Sequence, residues 1–67
     1  MGRAYYVVTY IPAGYSEPWT DDVPVDTGDP NIDTDAIIED YEDRGYEVIH
    51  VRHSNGETIF AANGIDR

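Results

Sequence analysis

Residues 33–62 read DTDAIIEDYEDRGYEVIHVRHSNGETIFAA, and the two halves of that stretch decide the fold. In the first half Ile37, Ile38 and Tyr41 fall on one helical stripe, and acids crowd the opening turn, where the helix dipole favours them. Asp33 or Thr34 is the expected N-cap. Gly45 directly after Arg44 is a C-terminal stop, with Tyr46 placed for the apolar contact that accompanies such a cap. The second half predicts a β-hairpin. Residues 46–53 and 57–62 flank Asn55-Gly56, the dipeptide favoured in two-residue type I′ turns. That turn pairs His53 with Thr58, Val51 with Phe60 and Ile49 with Ala62. It puts Ile49, Val51, Phe60 and Ala62 on one face, and His50, Arg52, Ile59 and Ala61 on the other. The first face is a core wall, and the helix stripe is its lid.

Working outward, Ala4 to Ile11 (AYYVVTYI) is β-branched and aromatic and ends at Pro12, so it reads as a strand, followed by a turn at Pro12-Ala13-Gly14. Residues 15–32 hold Pro18, Pro24, Pro30 and Gly28, and no helix is expected there. They form either a short edge strand around Val23-x-Val25 or an ordered loop pinned by Trp19. The expected class is α+β, one helix on a three- to four-stranded, mostly antiparallel sheet in the order β-(β)-α-β-β. A right-handed crossover from the first strand through the helix would set the hairpin's second strand between its neighbours.

The chain's 67 residues make a single domain with no cysteine to staple it. A chain this short buries only about 60% of its unfolded surface. Its apolar runs are far shorter than the roughly 20 residues of a membrane span, and Arg3 alone does not make a signal peptide. The reading is a soluble, cytoplasmic domain.

Charge is distributed unevenly. Eleven carboxylates and no base lie between Glu17 and Asp43, whereas the remainder holds three acids against four arginines and no lysine, which together give −10. Such a chain lacks the cations that replace counterions on nucleic acid, and it is repelled by anionic membranes. A basic protein surface is the complementary partner. Asp40, Glu42 and Asp43 sit at the unfavourable end of the helix dipole, offset only by Arg44. Their acidity therefore serves something other than the helix. Asp35, Glu39, Asp40, Glu42 and Asp43, extended by Asp21 and Asp22, are the candidate binding charges. Trp19 and Tyr15 are the candidate aromatic anchors, since Trp and Tyr combine area with a polar handle. The alternative is a salt-adapted domain whose acids serve solubility, although salt adaptation spreads acid over the whole surface rather than one segment.

Other constellations carry less. Asn31, Asp33 and Asp35 occupy the first, third and fifth places of an EF-hand-like loop with Glu42 twelfth, a calcium-binding alternative. Ala36, however, stands where that loop needs glycine, and helix capping accounts for the acids better. His50 and His53, three apart on a strand, point to opposite faces and cannot chelate one ion. There is no cysteine nucleophile, no serine in a nucleophile motif and no glycine-rich phosphate loop. No catalytic residue, metal or cofactor is expected. Of the tyrosines, Tyr5 and Tyr6 face opposite sides of their strand, so one of them leaves the helix side and can join a contact patch with His50 or Arg52.

In the order of strand AYYVVTYI, helix DTDAIIEDYEDRG and hairpin YEVIHVRHSNGETIFAANG, the chain resembles small acidic phage-encoded inhibitors of bacterial defence, including anti-CRISPR proteins. The resemblance covers the order of elements without a shared motif. It implies a non-enzymatic inhibitor or adaptor, a nucleic-acid mimic acting on a nucleic-acid-binding complex in the cytoplasm of a bacterial host.

Overall fold

In a computed structural model, which describes residues 3–62, four strands and one helix follow in the order β1 (Tyr5–Ile11), β2 (Trp19–Pro24), α1 (Pro30–Asp43), β3 (Glu47–His53) and β4 (Thr58–Ala61). The four strands form one antiparallel sheet ordered β2-β1-β3-β4, so the fold is α+β. The stretch 15–32 does contain a strand. β2 pairs antiparallel with β1 from Tyr5↔Pro24 to Tyr10↔Trp19 and forms the free edge. Val25 N–H bonds Ala4 O at 3.3 Å. By the alternation of an antiparallel ladder, the donor that Pro24 lacks then falls on the open side, where it costs no ladder bond.

The expected sheet order is corrected. β3, not β4, lies beside β1, because the crossover starts from β2 rather than β1. β2 and β3 are both antiparallel to β1, so α1 links two parallel strands with β1 between them. The seven-residue β3 matches the seven-residue β1, and the four-residue β4 takes the other edge.

The helix also starts earlier than its apolar stripe suggests. Asp29 is the N-cap, its side chain accepting from Asn31 N–H (3.0 Å) and Ile32 N–H (3.4 Å), with Pro30 at the first helical position. Proline fits there because that N–H has no helical partner and its φ is already helical. The C-terminus ends as read. Gly45 has φ +86° and donates to Glu42 O, and Tyr46 N–H donates to Tyr41 O. This is a Schellman cap, and the Tyr41 and Tyr46 rings meet at 6.0 Å.

The hairpin turn is longer than expected. His53 N–H bonds Glu57 O, Gly56 N–H bonds His53 O, and only glycines among the described residues have positive φ. A type I′ turn needs positive φ at Asn55 as well, so the loop is Ser54-Asn55-Gly56, with Gly56 at φ +100°. Val51 pairs with Phe60 as expected, but a bulge then brings Arg52 opposite Thr58, and Ile59 joins Phe60 against the core. A second irregularity sets Tyr10 opposite Val48, so Val48 is buried where Ile49 was expected. The core is Tyr6, Val8, Tyr10, Ile37, Tyr41, Val48 and Val51. Three tyrosines in so small a core supply area that aliphatic residues of a short chain cannot. Tyr10 stacks on Tyr46 (5.4 Å) and meets Tyr41 edge-on (5.0 Å).

Candidate functional site

The 14-residue helix is about 21 Å long at 1.5 Å per residue. Its buried side is Asp33, Thr34, Ile37 and Tyr41. At 100° per residue the opposite side carries Asp35, Glu39 and Asp43, four residues apart, all exposed, and about 6 Å from one another along the axis. Glu42 flanks this ridge. Asp40 turns toward the sheet, where its carboxylate meets the Arg44 guanidinium at 2.9 Å, the ion pair found among the described residues. The ridge is unfavourable to the helix itself, since like charges four apart repel by roughly 0.2–0.5 kcal/mol per pair.

The sequence-derived residues thus separate into three groups. Asp35, Glu39, Glu42 and Asp43 share the outer helix surface, with Asp40 at its margin. Asp21 faces the helix side of β2, opposite Val8, and accepts the Tyr41 hydroxyl at 3.0 Å. Asp22 pairs with Val7 and points to the other sheet face, so it does not extend the ridge. Tyr15 and Trp19 are 58% and 47% exposed and lie ring to ring at 5.1 Å, so the aromatic pair is available. It lies at the end of the β1–β2 loop, the end at which Ala13 approaches Gly45. Tyr6 and Tyr10 are core residues; the tyrosine that leaves the helix side is Tyr5, which is 39% exposed on the sheet face shared with His50 and Arg52.

Asp33 proves to be a joint rather than a cap. It is buried, and its carboxylate accepts the Tyr6 hydroxyl (2.7 Å), the Thr27 hydroxyl (2.6 Å) and the N–H groups of Asp26 (3.3 Å), Thr27 (3.0 Å) and Gly28 (3.3 Å). The Thr27 hydroxyl bond, with the other donors, holds this carboxyl well below the usual carboxylate range against the opposing effect of burial. Burial and the Asp33 bond push Tyr6 up to about 12. Burial first, then the bond to Asp21, pushes the Tyr41 phenol up as well. Asp35 is exposed one turn into the helix and caps nothing.

The EF-hand-like alternative fails on the same geometry. Asn31, Asp33 and Asp35 lie inside α1, spread around a cylinder rather than wrapped about a point, and Asp33 already has five donors. His50 and His53 pair with Thr9 and Tyr6, on opposite faces as expected. His53 stands edge-on to Tyr6 at 5.4 Å, and its Nδ1 accepts the Asn55 N–H at 3.0 Å, holding the hairpin loop.

Between α1 and β2 the surface is concave. The helix lies over β3 and β4, leaving a cleft of about 320 Å³ that runs from Val23 and Pro24 of β2 to Ile37, Asp40 and Tyr41 of α1. This cleft was not legible in the sequence, since it depends on where the helix crosses the sheet. Among the described residues no helix is long and apolar enough to cross a membrane. No protein-family model, curated protein or solved structure matches this chain.

Proposed function

We propose that this chain is a non-enzymatic inhibitor or adaptor that docks the acidic side of α1 onto a basic protein surface. Asp35, Glu39 and Asp43 make the line of charge, with Glu42 and Asp40 beside it. Trp19 and Tyr15 are the aromatic anchors of the same docking event. The observation that carries the reading is the ridge itself: three exposed carboxylates at four-residue spacing on a helix that gains nothing from them. Charge held against local stability is the pattern expected where a surface is kept for a partner. The resemblance to small phage-encoded inhibitors of bacterial defence suggests a nucleic-acid-binding complex of the bacterial cytoplasm, its Arg/Lys channel occupied in place of phosphates.

The test is competition. The chain is titrated into a CRISPR effector complex carrying a labelled DNA duplex, at several salt concentrations. Displacement that weakens steeply with salt, and disappears in the triple variant Asp35→Lys/Glu39→Lys/Asp43→Lys, is the expected result. Displacement insensitive to both salt and charge reversal would refute the reading.

A second reading keeps one observation in its favour: Asp22, Glu47 and Glu57 are exposed away from the ridge. A salt-adapted domain, acidic on every side, would unfold as ionic strength falls. A mimic stays folded in low salt.

A further inference from the structure

The cleft between α1 and β2 has an apolar floor and an acidic rim. Val23, Ile37 and the Tyr41 ring line the floor, while Asp26 follows β2 on one wall and Asp40 stands on α1 on the other. With Asp33 also in the lining and Arg44 at the mouth, three acids stand against one base, a local charge of −2. The Asp33 carboxylate is saturated by its own donors and adds field rather than a free contact.

We propose that this cleft receives an arginine side chain of the basic partner, its aliphatic stem on Val23, Ile37 and Tyr41 and its guanidinium toward Asp26 and Asp40. The inference rests on the reading of the partner as basic, and adds which side chain enters and where. A volume of about 320 Å³ is at the small end of ligand sites, which run from roughly 300 to 1,000 Å³. It suits one long side chain rather than a cofactor.

Arg44 demonstrates the chemistry within the molecule. Its guanidinium bonds Asp40 at 2.9 Å and its Cζ lies 5.7 Å from the Tyr41 ring centroid. Carboxylate and aromatic face together thus already hold a guanidinium at the cleft mouth. The pair is exposed, 57% and 58% at the two side chains, so an incoming arginine displaces it at little cost. Arginine is favoured over lysine because a planar guanidinium can stack on the ring while forking onto a carboxylate. Internal Arg44 is accordingly a competitor for the same groups.

The test is a titration of ¹⁵N-labelled full-length protein with a doubly capped Gly-Arg-Gly peptide, its lysine counterpart and its citrulline counterpart. Shifts should concentrate at Val23, Asp26, Ile37 and Tyr41, larger for arginine than for lysine and absent for citrulline. Arg44→Gln should tighten arginine-peptide binding by about threefold, and Asp26→Asn/Asp40→Asn should weaken it by about tenfold. Arg52→Gln makes the same change of net charge on the opposite sheet face and should leave binding unchanged. Three results overturn the proposal: no saturable shift, shifts that follow Asp35, Glu39 and Asp43 instead, or equal effects of Arg44→Gln and Arg52→Gln. Saturation by the citrulline peptide also overturns it and assigns the cleft to an apolar segment. Failure here is separable from failure of the broader reading. If Asp26→Asn/Asp40→Asn still displaces DNA from the effector complex while charge reversal along the ridge abolishes displacement, the ridge docks and the cleft does not.

Discussion

Substituting Tyr6→Phe isolates the bond on which the loop before the helix depends. The Tyr6 side chain is 1% exposed, and its hydroxyl donates to Asp33 Oδ2 at 2.7 Å. The other donors to that oxygen, Asp26 N–H and Gly28 N–H, are both at 3.3 Å, so Tyr6 makes its one short contact. A hydrogen bond to a charged group contributes about 1.5–3 kcal/mol. The surviving N–H groups retain part of the solvation, which places the expected loss near 2 kcal/mol. For a domain of this size that lowers Tm by about 8–16 °C, at 4–8 °C per kcal/mol. The control is Tyr41→Phe, which deletes the same atom from a bond to exposed Asp21 at 3.0 Å and should cost under about 1 kcal/mol.

The pH dependence gives the experiment a second edge. Asp33 has its folded pKa depressed below the ordinary 3.8, so its contribution is complete above that value and is lost as pH falls toward the folded one. Tyr6 is raised from 10.0 to about 12, so its contribution is complete below pH 10 and is lost as pH rises through 12. Unfolded Asp33 titrates alike in both proteins, so the difference between wild type and Tyr6→Phe should stay flat from about pH 3 to 10 and narrow above pH 10, where only the wild type has a phenol at this position to ionise. Urea unfolding at a series of pH values measures it. A deficit under about 0.5 kcal/mol at pH 7, a deficit equal to that of Tyr41→Phe, or one unchanged between pH 7 and about pH 11 would refute the assignment of Asp33 as the joint between loop, helix and β1.

Two further outcomes follow from the helix. Gly45→Ala should lower stability by about 1 kcal/mol through conformation alone, because the new Cβ would stand an ordinary 3.6 Å from Ala13 Cβ while φ is +86°. The D-alanine analogue made by synthesis should not be destabilised, and thermal unfolding of the two distinguishes strain from crowding. Glu39→Gln removes both like-charge pairs, with Asp35 and with Asp43, and should stabilise by about 0.4–1 kcal/mol at low ionic strength. The gain should vanish near 1 M salt, where the screening length is about 3 Å, as unfolding midpoints at low and high salt would report.

What the sequence made legible was local. Strand β1, the stripe of Ile37, Ile38 and Tyr41, and the Gly45 stop are each decided within a few residues, and the structure has them where they were read. The helix start was hidden because a proline among turn residues signals a break, although proline is also over-represented at the first helical position, where Pro30 stands after the Asp29 cap. That shift of one turn carried Asp33 from the cap into the buried side, one turn before Ile37. Its five donors come from β1 and from the loop before the helix, so the carboxylate joins three segments, and no local pattern announces such a convergence. Sheet order escaped for the same reason: whether β3 or β4 lies beside β1 depends on β2, the element whose prolines make it least distinct. The two bulges exchanged Val48 for Ile49 and brought Ile59 inward, which alternation by twos does not foresee. Of the candidate site, the ridge was readable as charge, whereas the cleft required knowing that the helix lies over β3 and β4.

The location of the unhelpful charge is what gives the functional reading its force. Acids in this chain that stabilise the fold are engaged: Asp29 caps, Asp33 joins three segments, and Asp21 receives Tyr41. Asp40 holds Arg44 and also forms one wall of the cleft. Asp35, Glu39 and Asp43 have no such engagement and repel one another along one line. A purely solvating skin would be as well served by lysine–glutamate pairs, which keep water close and add helix stability. A single-signed line instead raises the local concentration of cationic partners, and it does so at a distance that salt controls. Under the proposed reading the ridge and the cleft would have different tasks: the ridge would speed encounter with a basic surface, and the cleft, smaller and partly apolar, would select the side chain that stays.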